Sequence, residues 1–293
     1  MSKRKAIVAG LFLVAAVLVW CVIPKAEPVY LGHPISYWVE PWHHHGSEPP
    51  EREAAAFAEM DERGVRWLAQ QLQWKPSKLK EGLARLLNRF GDFTTDRDYD
   101  GGRRSAAVRA LTQLGPRAKS AIPELEALSK TNVELQRDQL RVAAVGALVR
   151  IRGDSLRPYM AQLPNAAGEE WARLATILAM QGTNAAGAVP ILAAGLSETN
   201  QRIWIQPTVI ALGSIRSHPE LSLPALMQQL GKTNQVAEFH VFNAVANFDA
   251  EAQSIWPDLT ARLTTTTNGY DRAALLRALK RIDPARFATT NWQ

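Results

Sequence analysis

Ala106-Ala107-Val108-Arg109-Ala110-Leu111, followed by Ile122-Pro123-Glu124-Leu125-Glu126-Ala127-Leu128, is the stretch on which the fold turns. Its first half is small and aliphatic at helical spacing, and small side chains let a neighbouring helix come close. In the second half Pro123 opens a new helix, because a first-turn N–H has no intrahelical partner to lose. Leu125 and Leu128 then make one apolar stripe on that helix. The stretch predicts two helices packed through a shared apolar seam.

Outward from it, the same pair recurs along the chain. Pro123, Pro158, Pro190, Pro224 and Pro257 are separated by 35, 32, 34 and 33 residues. An aliphatic residue stands two places after each (Leu125, Met160, Leu192, Leu226, Leu259), and a leucine five or six places after (Leu128, Leu163, Leu196, Leu230, Leu263). Thr131-Asn132, Thr199-Asn200, Thr233-Asn234 and Thr267-Asn268, separated by 68, 34 and 34 residues, read as turns between pairs. Each proline is expected to start the second helix of a pair, behind an Ala-rich first helix. The array occupies residues 103–293, closed by Asp283-Pro284 and a tail holding Trp292. Residues 51–102 read as a degenerate first unit, in which Arg66-Trp67-Leu68 with Leu72 imitates a proline-led helix. An insertion follows, with a helix from Pro76 to Phe90 and a polar loop over Gly91–Gly102.

The run Leu114-Gly115-Pro116-Arg117-Ala118-Lys119-Ser120-Ala121-Ile122-Pro123-Glu124-Leu125 resembles HEAT-type repeats, in particular the short bacterial HEAT-like class. Val29-Tyr30-Leu31-Gly32-His33-Pro34-Ile35-Ser36-Tyr37-Trp38-Val39 resembles a motif associated with membrane-anchored or exported HEAT-repeat proteins of verrucomicrobial type. The resemblance covers residues 29–40 and 103–282. It implies an all-α chain, a right-handed α-solenoid (an armadillo/HEAT-like superhelix) of about six helical pairs used for protein–protein contact. It carries over no catalytic residue and implies neither an enzyme nor a cofactor.

Charge supplies an address. The 293 residues hold 34 Lys+Arg against 28 Asp+Glu, a net +6, with 46% apolar residues and one cysteine. A disordered chain, a disulfide framework and a cysteine-based zinc site are excluded. Residues 1–26 carry Lys3, Arg4, Lys5 and Lys25 and no acid, leaving 30 against 28 for the rest. That near-neutral body predicts no nucleic-acid partner. Ala6 to Ile23 is uncharged, and eighteen helical residues rise about 27 Å, close to the hydrocarbon thickness of a bilayer. Lys3-Arg4-Lys5 should stay cytoplasmic, placing the rest outside, with Trp20 at the far interface. Residues 1–26 are therefore read as a single-pass signal anchor in the cell membrane. The alternative is a cleaved signal peptide and a secreted or periplasmic product. Cleavage after Ala26 would put Pro24 where a small residue is needed, and a lipidated Cys21 would follow the bulky Trp20.

Candidate chemistry is thin. His43-His44-His45, in a linker over 27–50, are ligand types for zinc or copper, and an envelope metal-binding protein is one alternative function. A HEAT-like lyase or ligand-handling enzyme is another. Gly231-Lys232-Thr233 ends like a phosphate loop, but Leu226 stands where its first glycine belongs. Asp92, Asp96, Asp98 and Asp100 lack calcium-loop spacing. Trp171, Trp204 and Phe239 open three successive first helices at intervals of 33 and 35, as packing between repeats. The leading expectation is a non-enzymatic, membrane-tethered scaffold that binds another protein in the cell envelope. Its contacts are expected from Glu124, Glu126, Gln162, Gln228, Gln229 and Arg262 on second helices. Arg141 and Arg150 join them from residues 103–152, where ten Lys/Arg face four acids, against five and eight over 153–251. Such a division would steer a complementary partner, and charge reversal at Arg141 and Arg150 should weaken binding without unfolding.

Overall fold

The computed structural model describes residues 27–39, 50–73, 100–130, 135–197, 205–232, 236–290 and 292. They are mostly helical, and among them the one small hairpin is the sole departure from an all-α fold. That hairpin, β1 (Val29–Tyr30) and β2 (His33–Pro34), turns at Gly32, whose φ of +82° suits a residue without Cβ. It leads into α1 (Ile35–Val39). These residues fall within the span read as linker, yet Ile35 and Trp38 are fully buried, and the Trp38 Nε1–H donates to the Tyr30 carbonyl at 2.8 Å. Burying the two side chains is worth a few kcal/mol, about 2 each, enough to hold a short segment down.

Next come α2 (Pro50–Glu59) and α3 (Glu62–Leu72). Asp61 caps α3, its carboxylate accepting from the amides of Arg63 and Gly64. This cap starts the helix at Glu62, so Arg66 lies inside α3 instead of at a proline-like start. The Tyr30 hydroxyl donates to Asp61 Oδ1 at 2.7 Å, locking the hairpin onto α3. That bond, and the Arg63 guanidinium beside it, hold the Asp61 carboxyl well below the usual carboxylate range. Burial pushes the Tyr30 hydroxyl up.

The array then runs α4 (Asp100–Leu114), α5 (Ile122–Ser129), α6 (Leu135–Arg152), α7 (Arg157–Gln162), α8 (Gly168–Ala179) and α9 (Val189–Ser197). It continues with α10 (Ile205–Ile215), α11 (Pro219–Met227), α12 (Glu238–Ala246), α13 (Trp256–Arg262), α14 (Gly269–Ile282) and α15 (Pro284–Thr289). Helix α4 begins at Asp100, taking in the end of the stretch read as a loop. Helix α3 packs on α4 and α5, and first helices then stack in chain order: α4 on α6, α6 on α8, α8 on α10, α10 on α12 and α12 on α14. Second helices α5, α7, α9, α11 and α13 each pack against the first helix that follows. At Gly213 the approach is so close that a Cβ would lie 2.5 Å from the Ala244 Cα, which is why α10 meets α12 through a glycine.

Pro123, Pro158, Pro190 and Pro257 each stand at the start of α5, α7, α9 and α13, as expected. Pro224 does not. Helix α11 starts a turn earlier at Pro219, after a left-handed His218, and holds Pro224 in its interior. Pro219 itself supplies the favoured first-turn φ, so the helix has no need of the later proline to begin. The aliphatic positions follow the period: Leu125, Leu192, Leu226 and Leu259 are fully buried, and Met160 is half-buried. Asn268 caps α14 by accepting from the Tyr270 amide at 2.8 Å, while the three earlier Thr-Asn pairs lie outside the described residues. A left-handed residue marks each turn from first to second helix: Gly115, Gly153, Gly182, Arg216 (with His218 in the same turn) and Asp249.

Buried side chains form two apolar clusters, one running from Tyr30 to Ile151 and one from Leu163 to Ile282. Their boundary falls between α6 and α8. The tail caps the far end, where Trp292 stacks on Phe287 and Arg286 lies 4.1 Å above the Trp256 ring. Among the described residues no helix is long and apolar enough to cross a membrane; Ala6 to Ile23 lies outside them.

Candidate interaction surface

Several arginines of the array are spent on its own backbone. Arg109 Nη2 donates to the Val39 carbonyl at the end of α1, at 2.9 Å. Arg117 reaches the carbonyls of Phe57, Ala58 and Met60 at the end of α2. Carbonyls at a helix C-terminus lack intrahelical donors and sit at the negative end of the helix dipole, so a guanidinium is well suited to them. Arg150 is half-buried; its Nε donates to the Thr112 carbonyl at 3.0 Å and its Nη1 to the Gln181 carbonyl at 2.7 Å. It therefore ties α6 to the first helix before it and to the turn after α8. Arg152 pairs with Glu126. The excess of cations over 103–152 is in good part internal, and Arg150 is a joint between pairs.

The other expected contact residues separate in the same way. Gln229 is fully buried, with its Nε2 donating to the Leu196 carbonyl one repeat earlier at 3.0 Å. Gln181 does the same on the first helices, donating to the Gly146 carbonyl at 2.9 Å. Two buried glutamines, one in each layer, thus bridge successive pairs. Arg262 pairs with the buried Glu238, which also accepts from the Gly231 amide at 2.9 Å. An amide already held by a carboxylate is a poor seat for phosphate, which removes the remaining interest of Gly231-Lys232-Thr233. Glu124 stands half-buried in the first turn of α5, its Oε2 buried and without a donor among the described residues. Arg141 is half-buried on α6. Gln162 and Gln228 are exposed, and Gln162 bonds only its own helix, at Pro158. The structure does not bring these residues together into one site.

A recurrent surface does exist, and periodicity alone could have shown it. Each repeat proline is exposed together with the residue four places on: Pro123 with Ala127, Pro158 with Gln162, Pro190 with Ala194, Pro224 with Gln228, and Pro257 with Ala261. Positions i and i+4 share a helix face, so every second helix turns an uncharged, short-chained strip to solvent. Trp171 is buried, with its Nε1–H on Thr208 Oγ1 at 2.8 Å, and Phe239 is half-buried against the His240 ring. Those aromatics are packing; Trp204 lies outside the described residues. Burial lowers the His240 pKa, with Asp271 opposing it, so this imidazole stays neutral near pH 7. Among the described residues no three His, Cys, Asp or Glu side chains gather where a metal ion would sit. His43, His44 and His45 lie outside them. No protein-family model matches the chain, and neither a curated protein nor a solved structure does.

Proposed function

We propose that the chain is a right-handed α-solenoid of HEAT-type pairs, tethered through Ala6 to Ile23 and acting as a non-enzymatic scaffold for another envelope protein. One observation carries this reading: five successive second helices repeat the same exposed, uncharged pair of positions, while Arg150 is tied into the stack and Arg152 is paired with Glu126. Stacking in chain order, each first helix on the next, supports the solenoid. A surface repeated at fixed intervals suits an extended protein partner better than a small ligand, which needs convergent groups in a concavity. With few free charges on the strip, binding rests on shape and depends little on salt, in contrast to the steering expected from the charge division along the chain.

The test is recovery of the tagged full-length chain from its own membranes in mild detergent, with mass spectrometry of what co-purifies. A stoichiometric envelope protein is expected. It should be lost from a triple variant Ala127→Glu, Ala194→Glu and Ala261→Glu whose melting is unchanged, because all three alanines are exposed. Recovery of the chain alone, soluble and shortened at its N-terminus, overturns the tether; a partner retained by the triple variant overturns the strip.

A further inference from the structure

We infer that the hairpin, with Val29, Gly32 and Pro34 exposed, is the surface on which this protein rests against lipid headgroups, held there by the shortness of its tether. This rests on the anchored reading of Ala6 to Ile23. Glu27 and Pro28 are held in the folded body: the Ile35 amide donates to the Pro28 carbonyl at 2.8 Å, and the Ser36 amide to Glu27 Oε2 at 3.2 Å. Between Ile23 and Glu27 stand only Pro24, Lys25 and Ala26. Four residue steps span at most about 14 Å when fully extended. The headgroup layer takes up about 5–8 Å of that on each side of a bilayer. The hairpin therefore lies within about 6–9 Å of the outer headgroup boundary even with the tether taut, and closer as it slackens.

The exposed chemistry fits an interface and not an electrostatic docking site. Val29, two residues past the start of the folded body, is 62% exposed and is one of few large apolar side chains facing solvent. Cations close to the hairpin are neutralised locally, Arg63 by Asp61 at 2.9 Å and Arg66 by Glu62 at 3.7 Å, while Arg52 lies 5.9 Å from the Trp38 ring. Lys25 of the tether and Arg52 keep their charges, too few to hold the body against anionic lipid by themselves. Proximity is imposed by chain length, and pivoting at the hairpin is opposed by the Tyr30–Asp61 bond, which ties it to the start of α3.

Cys21 is the only cysteine, so a full-length Cys21→Ser, Val29→Cys variant carries a single fluorophore at the hairpin. It is reconstituted in phosphatidylcholine vesicles bearing a nitroxide on the headgroup. The fluorophore is expected to lose more than half of its emission. A flexible Gly-Ser insert of about twenty residues after Ala26, spanning about 25 Å, should restore most of it. Adding phosphatidylglycerol or raising the salt should change nothing. An anchored chain whose fluorophore is unquenched, or quenched equally with the long insert, overturns the inference, as does a several-fold dependence on anionic lipid. Alkaline carbonate extraction separates the two readings: a chain it releases was never anchored, and both fall together.

Discussion

The Arg150 guanidinium donates to the Gln181 carbonyl at 2.7 Å, across the boundary where one apolar cluster of the array ends and the next begins. Gln181 answers through its side chain, which donates to the Gly146 carbonyl at 2.9 Å on the same helix as Arg150. Where hydrophobic contact between neighbouring pairs is divided, hydrogen bonds join them. The arrangement makes α6 and α8 a polar seam within an otherwise apolar stack.

Replacing Arg150 should therefore weaken the fold before it weakens any partner. Charge-assisted bonds to carbonyls contribute about 1.5–3 kcal/mol each, discounted here because the side chain is only half-buried. Arg150→Met is expected to cost about 2–3 kcal/mol in urea unfolding followed by circular dichroism. Arg150→Lys should recover less than half, since one ammonium cannot reproduce the fork that reaches Thr112 and Gln181 together. A variant as stable as the parent would show that the seam is held by other contacts.

Leu192 sits in the second cluster with no exposed surface, two residues after Pro190. Leu192→Asp buries a carboxylate with no cation to receive it, and should lower the melting temperature sharply or abolish cooperative unfolding altogether. Leu192→Ala, a plain cavity, is expected to cost about 2–5 kcal/mol. Unchanged helical circular dichroism and melting in the aspartate variant would contradict the placement of this helix in the stack.

Gly213→Ala offers a test with opposing effects. Helix propensity alone would favour alanine by about 1 kcal/mol. The added methyl, however, meets the Ala244 Cα and Cβ at 2.5 and 2.6 Å, and backbone cannot move aside as a flexible side chain does. Overpacking should win, with a net loss of about 1–3 kcal/mol in the urea midpoint. A stabilised variant would mean that α10 and α12 stand farther apart than they do here.

The Tyr30–Asp61 bond makes the hairpin acid-sensitive in a defined direction. The Asp61 pKa lies below its usual value of 3.8, so the folded state holds fewer protons there than the unfolded chain does. Its contribution is complete above that value and drains away as the pH falls beneath it. Hydrogen exchange at the Ile35 amide, whose acceptor is the Pro28 carbonyl, should quicken between about pH 4 and pH 2 in the parent, beyond the intrinsic trend. Asp61→Asn should speed its exchange already at neutral pH and flatten the acid response. An aspartate-free variant with the parent's acid response would place the titration elsewhere.

Much of this architecture is readable along the chain. The period follows from prolines, leucines and alanines because each acts within one helix, through first-turn geometry or a 3.6-residue stripe, and such effects need no distant partner. The exceptions are local too: Pro219 competes with Pro224 for the start of α11, and Asp61 overrules Arg66 at the start of α3. The employment of the polar side chains, by contrast, is settled by how the helices pack. Arg150, Gln229 and Arg262 look like surface groups on paper, yet each is matched to a carbonyl or carboxylate 24 to 38 residues away. A hydrogen bond across stacked helices depends on the offset between repeats to within about an ångström, and hydrophobic pattern specifies that offset only to about a turn.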